Sequence, residues 1–107
     1  MATADQGYLV ETIGAAAEGT DVLKLRWFPR SRRFGNLILS GDLEGTFEVQ
    51  ISPPDEDTWG VLYTTTAASP AVVGGLESIE FAGPCDVRFE VSAYTAGSVN
   101  AWLHVKD

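Results

Sequence analysis

The chain has 107 residues, 45% hydrophobic and 21% charged, with seven Lys and Arg against fifteen Asp and Glu, for a formal net charge of −8. One domain of that length hides roughly 60–70% of the surface its unfolded chain exposes, enough for one core without disulfides or metal. The acidic balance argues against a nucleic-acid binder, which needs a basic surface to neutralise phosphates, and favours solubility.

Residues 1–7 are small and polar and read as a short mobile N-terminal arm ahead of one domain over 1–107. No basic region followed by an apolar run marks a secretory signal, and no stretch approaches the length of a transmembrane helix, so no membrane contact is expected. Tyr8 to Ile13 is a short β-prone run, and Gly14 to Thr20 reads as a loop. In Asp21 to Phe28, Leu23, Leu25 and Trp27 alternate with Lys24 and Arg26, the pattern of an amphipathic strand. Pro29 ends it, Arg30 to Arg33 form a basic loop, and Phe34 to Ser40 return as a strand.

Thr46 to Ser52 alternates strictly, with Phe47, Val49 and Ile51 on one side and Thr46, Glu48, Gln50 and Ser52 on the other. Such a period of two means a strand with one dry and one wet face. Pro53 and Pro54 end its ladder, Asp55 to Thr58 make a polar tip, and Trp59 opens a return through Val61 and Tyr63. The small-residue stretch that follows, with Gly74-Gly75, reads as a long connection crossing from one sheet to another. Ile79 and Phe81 point inward from the next strand; Val87, Phe89, Val91 and Ala93 alternate with Asp86, Arg88, Glu90 and Ser92. Gly97 supplies a positive backbone angle in the last turn, and Val99, Ala101, Leu103 and Val105 alternate with Asn100, Trp102 and His104. About eight short half-wet strands predict an all-β antiparallel sandwich of jelly-roll or Ig-like kind, cored by Leu25, Trp27, Leu39, Phe47, Val49, Ile51, Phe89, Val91 and Leu103.

Chemistry is sparse. Cys85 is the single cysteine, which rules out an intrachain disulfide and reads as a small strand residue. His104, the single histidine, has no nucleophile signature near it. Asp55, Glu56 and Asp57 fall short of the six to eight oxygen ligands calcium takes, so no metal or cofactor is expected, and without a catalytic constellation in the chain no enzymatic activity is expected either. Two features point to partners. Lys24, Arg26, Arg30, Arg32 and Arg33 concentrate five of the seven basic residues within ten positions, an electrostatic docking patch for an acidic surface. Alternation also places Trp102 outside, where a tryptophan serves as an interface anchor.

VQISPP…TWGVLYTTT followed by GPCDVRFEVSAYTAGSV resembles small β-sandwich structural proteins of tailed bacteriophage virions. The matching positions are Val49, Gln50, Ile51, Ser52, Asp55, Trp59 and Leu62, then Val87, Arg88, Val91, Tyr94, Thr95, Gly97, Ser98 and Val99. The resemblance implies a non-enzymatic capsid decoration (cement) protein, made in the host cytoplasm and carried on the virion. It would bind the major capsid protein lattice as a homo-oligomer, with a trimer favoured. The alternative is a carbohydrate- or receptor-binding module of a tail fibre, stacking sugars on Trp59, Tyr63 or Trp102.

Overall fold

The computed structural model describes residues 2–4, 7–26, 33–67 and 75–106. They form ten strands: β1 (Ala2–Ala4), β2 (Tyr8–Ile13), β3 (Ala17–Glu18), β4 (Asp21–Leu25), β5 (Arg33–Gly41), β6 (Glu44–Ser52), β7 (Gly60–Ala67), β8 (Gly75–Phe81), β9 (Cys85–Ala96) and β10 (Val99–Lys106). One sheet runs β1-β4-β9-β6-β7, with β3 beside β9; the other runs β2-β10-β5-β8. Every pairing is antiparallel except the parallel β1–β4. The expected all-β antiparallel sandwich is therefore present, and β7 and β8 lie in different sheets, as the crossing connection between them predicts.

The inward faces follow the alternation. Leu25, Leu39, Phe47, Val49, Phe89, Val91 and Leu103 are all buried, and Ile51 packs half-buried against them. Trp27 lies outside the described residues. β6 and β9 form the central pair, Phe47 opposite Val91 and Val49 opposite Phe89. The strand count exceeds eight because two short segments also pair. β1 takes up part of the stretch expected to be a mobile arm, aligning Ala2–Ala4 with Asp21–Leu23, and β3 pairs with Glu90 and Val91 inside the expected loop. Ala93 faces solvent rather than the core. A register shift between Thr46 and Phe47 leaves Ser92 as an extra residue in β9, and one extra residue moves the side chains after it to the opposite face, until the second shift between Glu44 and Gly45.

Two turns are built as their residues require. Gly97 has φ 81°, and a Cβ there would come within 2.2 Å of the Asp42 carbonyl oxygen, so only glycine fits. Asp55 and Asp57 adopt left-handed backbone angles in the β6–β7 tip, a conformation aspartate tolerates better than most residues. Glu11 points inward from β2 and ties the two sheets at one end. Its carboxylate accepts from the Thr20 amide at 2.9 Å and the Asp21 amide at 3.0 Å, at the entry to β4.

Candidate functional site

The described residues of the basic segment do not form one exposed patch. Arg30 and Arg32 lie outside the described residues. Arg33, expected in a solvated loop, is instead the first residue of β5 and is buried. Its Nη2 donates to the Val105 carbonyl at 3.0 Å and its Nε to the Lys106 carbonyl at 3.2 Å, closing the end of β10. A guanidinium drawn into main-chain carbonyls is a structural clamp, not a docking group.

Lys24 of β4 and Arg26 just after it remain at the surface, but acids of the same chain meet them. Lys24 Nζ lies 3.0 Å and Arg26 Nη2 3.1 Å from Asp55 Oδ1 on the hairpin tip. Arg26 Nη1 sits 2.8 Å from buried Asp86 and also donates to the Cys85 carbonyl at 3.3 Å. Asp86 Oδ2 in turn accepts from the Asp55 amide at 3.0 Å. The Lys24 hydrogen bond, then the charges of Lys24 and Arg26, hold the Asp55 carboxyl below its ordinary range; contact with Asp86 raises Arg26. The cluster pins the tip to β4. That explains why Asp86, placed on the wet face by alternation, is buried.

The outer faces of the two sheets differ in kind. On the β6–β9 sheet the two central strands make the face polar, with exposed Val61 of β7 beside Gln50 at its margin. Gln50 Nε2 donates to Glu48 Oε1 at 2.9 Å and to Glu90 Oε1 at 2.8 Å, holding two cross-strand carboxylates apart, while Arg88 Nε donates to Gln50 Oε1 at 2.8 Å. Arg88 also covers the Trp59 ring at 4.3 Å, and Trp59 Nε1 donates to Asp57 Oδ1 at 2.6 Å. Trp59 is thereby occupied and Tyr63 packs on the core, which leaves Trp102 as the one candidate sugar platform among the three.

On the β2-β10-β5-β8 sheet the outer face carries a strip of apolar side chains among polar ones. Val10, Trp102 and Ile38 are consecutive neighbours across β2, β10 and β5; Tyr8, His104 and Asn36 form the next row; Lys106, Phe34 and Glu80 lie beyond. Val10 is 57% exposed, Phe34 52%, Ile38 44% and Tyr8 40%, four of the seven exposed large hydrophobics among the described residues. Trp102 lies on this face as alternation predicts, but half-buried. Tyr8 and His104 stack at 4.0 Å between centroids, and both rings lean on the indole at 5.7 and 5.9 Å. Thr12 donates to Asn100 at 2.7 Å beside them. Tyr8, Val10, Phe34 and Ile38 were not singled out from sequence, although their signal is readable. YLVETI and FGNLILS carry apolar residues at both parities, and a strand apolar on both sides is one that expects cover on both.

Cys85 opens β9 at the wall of an end groove of about 440 Å³, which Ile51, Pro53, Leu62, Phe81 and Pro84 also line. Burial first, and the neighbouring Asp86 charge second, push its thiol up to about 11 from 9.0. Near pH 8 the native thiolate should be about 100-fold scarcer than in the unfolded chain, so alkylation by iodoacetamide should slow by about that factor. Equal rates in native and urea-unfolded protein would contradict this placement. Among the described residues no group of three or more His, Cys, Asp or Glu could hold a metal ion.

No family model, no curated protein and no solved structure matches this chain.

Proposed function

We propose that this protein is a non-enzymatic docking module that decorates a phage capsid, binding the major capsid protein lattice through the outer face of its four-stranded sheet. The observation that carries the reading is the contrast between the two outer faces. Glu48, Gln50, Arg88 and Glu90 make one a satisfied polar surface, whereas Val10, Ile38, Phe34 and Trp102 make the other suited to a dry contact. Exposed apolar patches with an aromatic centre and a polar rim are the usual composition of protein interfaces. The resemblance of residues 45–101 to virion sandwiches supplies the class of partner. Stable docking of this kind buries about 1,200–2,000 Å² in total. Lys24, Arg26 and Arg33 play no direct part, since acids and carbonyls of the chain itself already engage them.

Retention on purified capsids lacking the protein tests this. Val10→Lys and Ile38→Lys, at exposed positions, should each weaken retention about tenfold or more while changing stability within about 0.5 kcal/mol. Because the contact is apolar, wild-type retention should vary little with salt. Undiminished binding of both variants would remove this face from the interface. A second reading, glycan recognition, draws on the Tyr8–His104–Trp102 rings beside Asn100 and Thr12. Glycan-array binding lost in Trp102→Ala, together with absence from purified particles, would favour it.

A further inference from the structure

Of the three exposed large hydrophobics not on the docking face, Tyr94 is on β9 and the other two, Val61 and Leu62, are on β7, which ends its sheet with no strand on its outer side among the described residues. A free strand edge is a row of backbone donors and acceptors ready to pair, and proteins ordinarily blunt such edges with charge, proline or brevity. The other edges here follow that rule: β2 carries Glu11, β8 carries Glu80, and β1 spans three residues. β7 runs eight residues, GVLYTTTA, without charge or proline. Its one irregularity is the register shift between Val49 and Gln50, which makes Leu62 the extra residue and leaves Tyr63–Ala67 as the regular stretch.

We propose that Tyr63–Ala67 is a seam at which two copies of this chain pair antiparallel, strand edge to strand edge, about a twofold axis. Charge selects a second copy as the occupant. Two chains of net −8 repel wherever acids meet, and this strip is the long edge that brings none together. The side chains suit self-pairing as well. Thr64 and Thr66 stand exposed on the outer side, where Thr66 already meets Thr46 hydroxyl to hydroxyl at 3.4 Å within the chain, a contact a partner threonine repeats across the seam. On the inner side Tyr63 and Thr65 are half-buried at the open margin of the core, which the second copy covers. Such a contact is isologous and closes at two copies, in place of the trimer that the resemblance implies. Its twofold axis stands perpendicular to the shared sheet, so both four-stranded sheets lie on the same side and present their apolar faces in one direction. That consequence rests on the docking reading, and there it adds avidity on a flat lattice. The seam itself does not.

The test is sedimentation equilibrium of the full chain from micromolar to millimolar concentration, with no capsid present. Thr64→Lys with Thr66→Lys sets like charges across the seam, while Lys at 64 faces Glu48 of its own chain, so the monomer keeps its fold. The wild type should dimerise, the double variant should dimerise at least about tenfold more weakly, and Ile38→Lys should leave dimerisation unchanged. Amide protection over 63–67 should rise with wild-type concentration. A wild type monomeric throughout, a trimer, or a dimer dissolved by Ile38→Lys but not by the double variant would each overturn the proposal. None of these results bears on capsid retention, so the seam and the docking face fail separately.

Discussion

Phe47→Ala and Phe89→Ala are each expected to destabilise the fold by about 3–5 kcal/mol, among the largest losses any single truncation should produce here. Both side chains are fully buried, and they come from the two strands at the centre of the larger sheet. Their rings meet at 5.3 Å with planes tilted 48°, a geometry worth about 0.5–1.5 kcal/mol beyond the area buried. Each deletion therefore loses transfer energy, leaves a cavity, and strips the remaining ring of its partner. Because one contact is lost in both, the double variant should cost less than the sum of the singles. Glu48→Ala and Glu90→Ala supply the contrast on the opposite side of the same strands. Gln50 keeps one of its two carboxylate partners in either case, so each loss should stay within about 1 kcal/mol. Urea unfolding monitored by tryptophan fluorescence measures all four. Comparable losses for the glutamates would mean that the polar face is as buried as the core.

The strands were legible because a half-buried strand writes its two faces as alternate letters, and β5 and β10 keep that alternation in their burial. β6 keeps it through Val49, after which Gln50 and Ser52, expected on the wet face, are buried. Gly97 was legible for a local reason as well, since its turn needs a positive angle. What escaped the sequence is non-local. Ala93 sits in perfect alternation, but its phase depends on a bulge set by pairing with β6, forty-odd residues away. Asp86 reads as solvated until the hairpin tip brings the Asp55 amide and Arg26 onto it. The docking face was half legible. Trp102 stood out by its chemistry, while Val10 and Ile38 read as ordinary strand residues until β10 set the indole between them. Exposure of an aliphatic residue becomes informative only when neighbours on other strands share it.

Arg33→Glu should also cost about 3–5 kcal/mol, the range for breaking a buried charge arrangement from one side. From its place in a polar run after Pro29, the residue reads as a surface charge whose reversal costs little. In the fold it is 9% exposed and donates to two consecutive carbonyls at the end of β10. Glutamate has no proton to offer them when ionised, so a desolvated carboxylate would face two carbonyl dipoles that water cannot reach. Arg33→Lys keeps the charge but not the two-pronged donor, and its loss should fall nearer about 1.5–3 kcal/mol. Thermal melts rank the two, and each kcal/mol moves the midpoint by about 4–8 °C in a domain of this size. A melting temperature unchanged by Arg33→Glu would return this residue to the solvent and to the basic patch. If the midpoint instead collapses, lost capsid retention by that variant reports unfolding, and charge reversal at residue 33 can no longer serve as evidence for electrostatic docking. The docking question then falls to Val10→Lys and Ile38→Lys, whose side chains leave the core untouched.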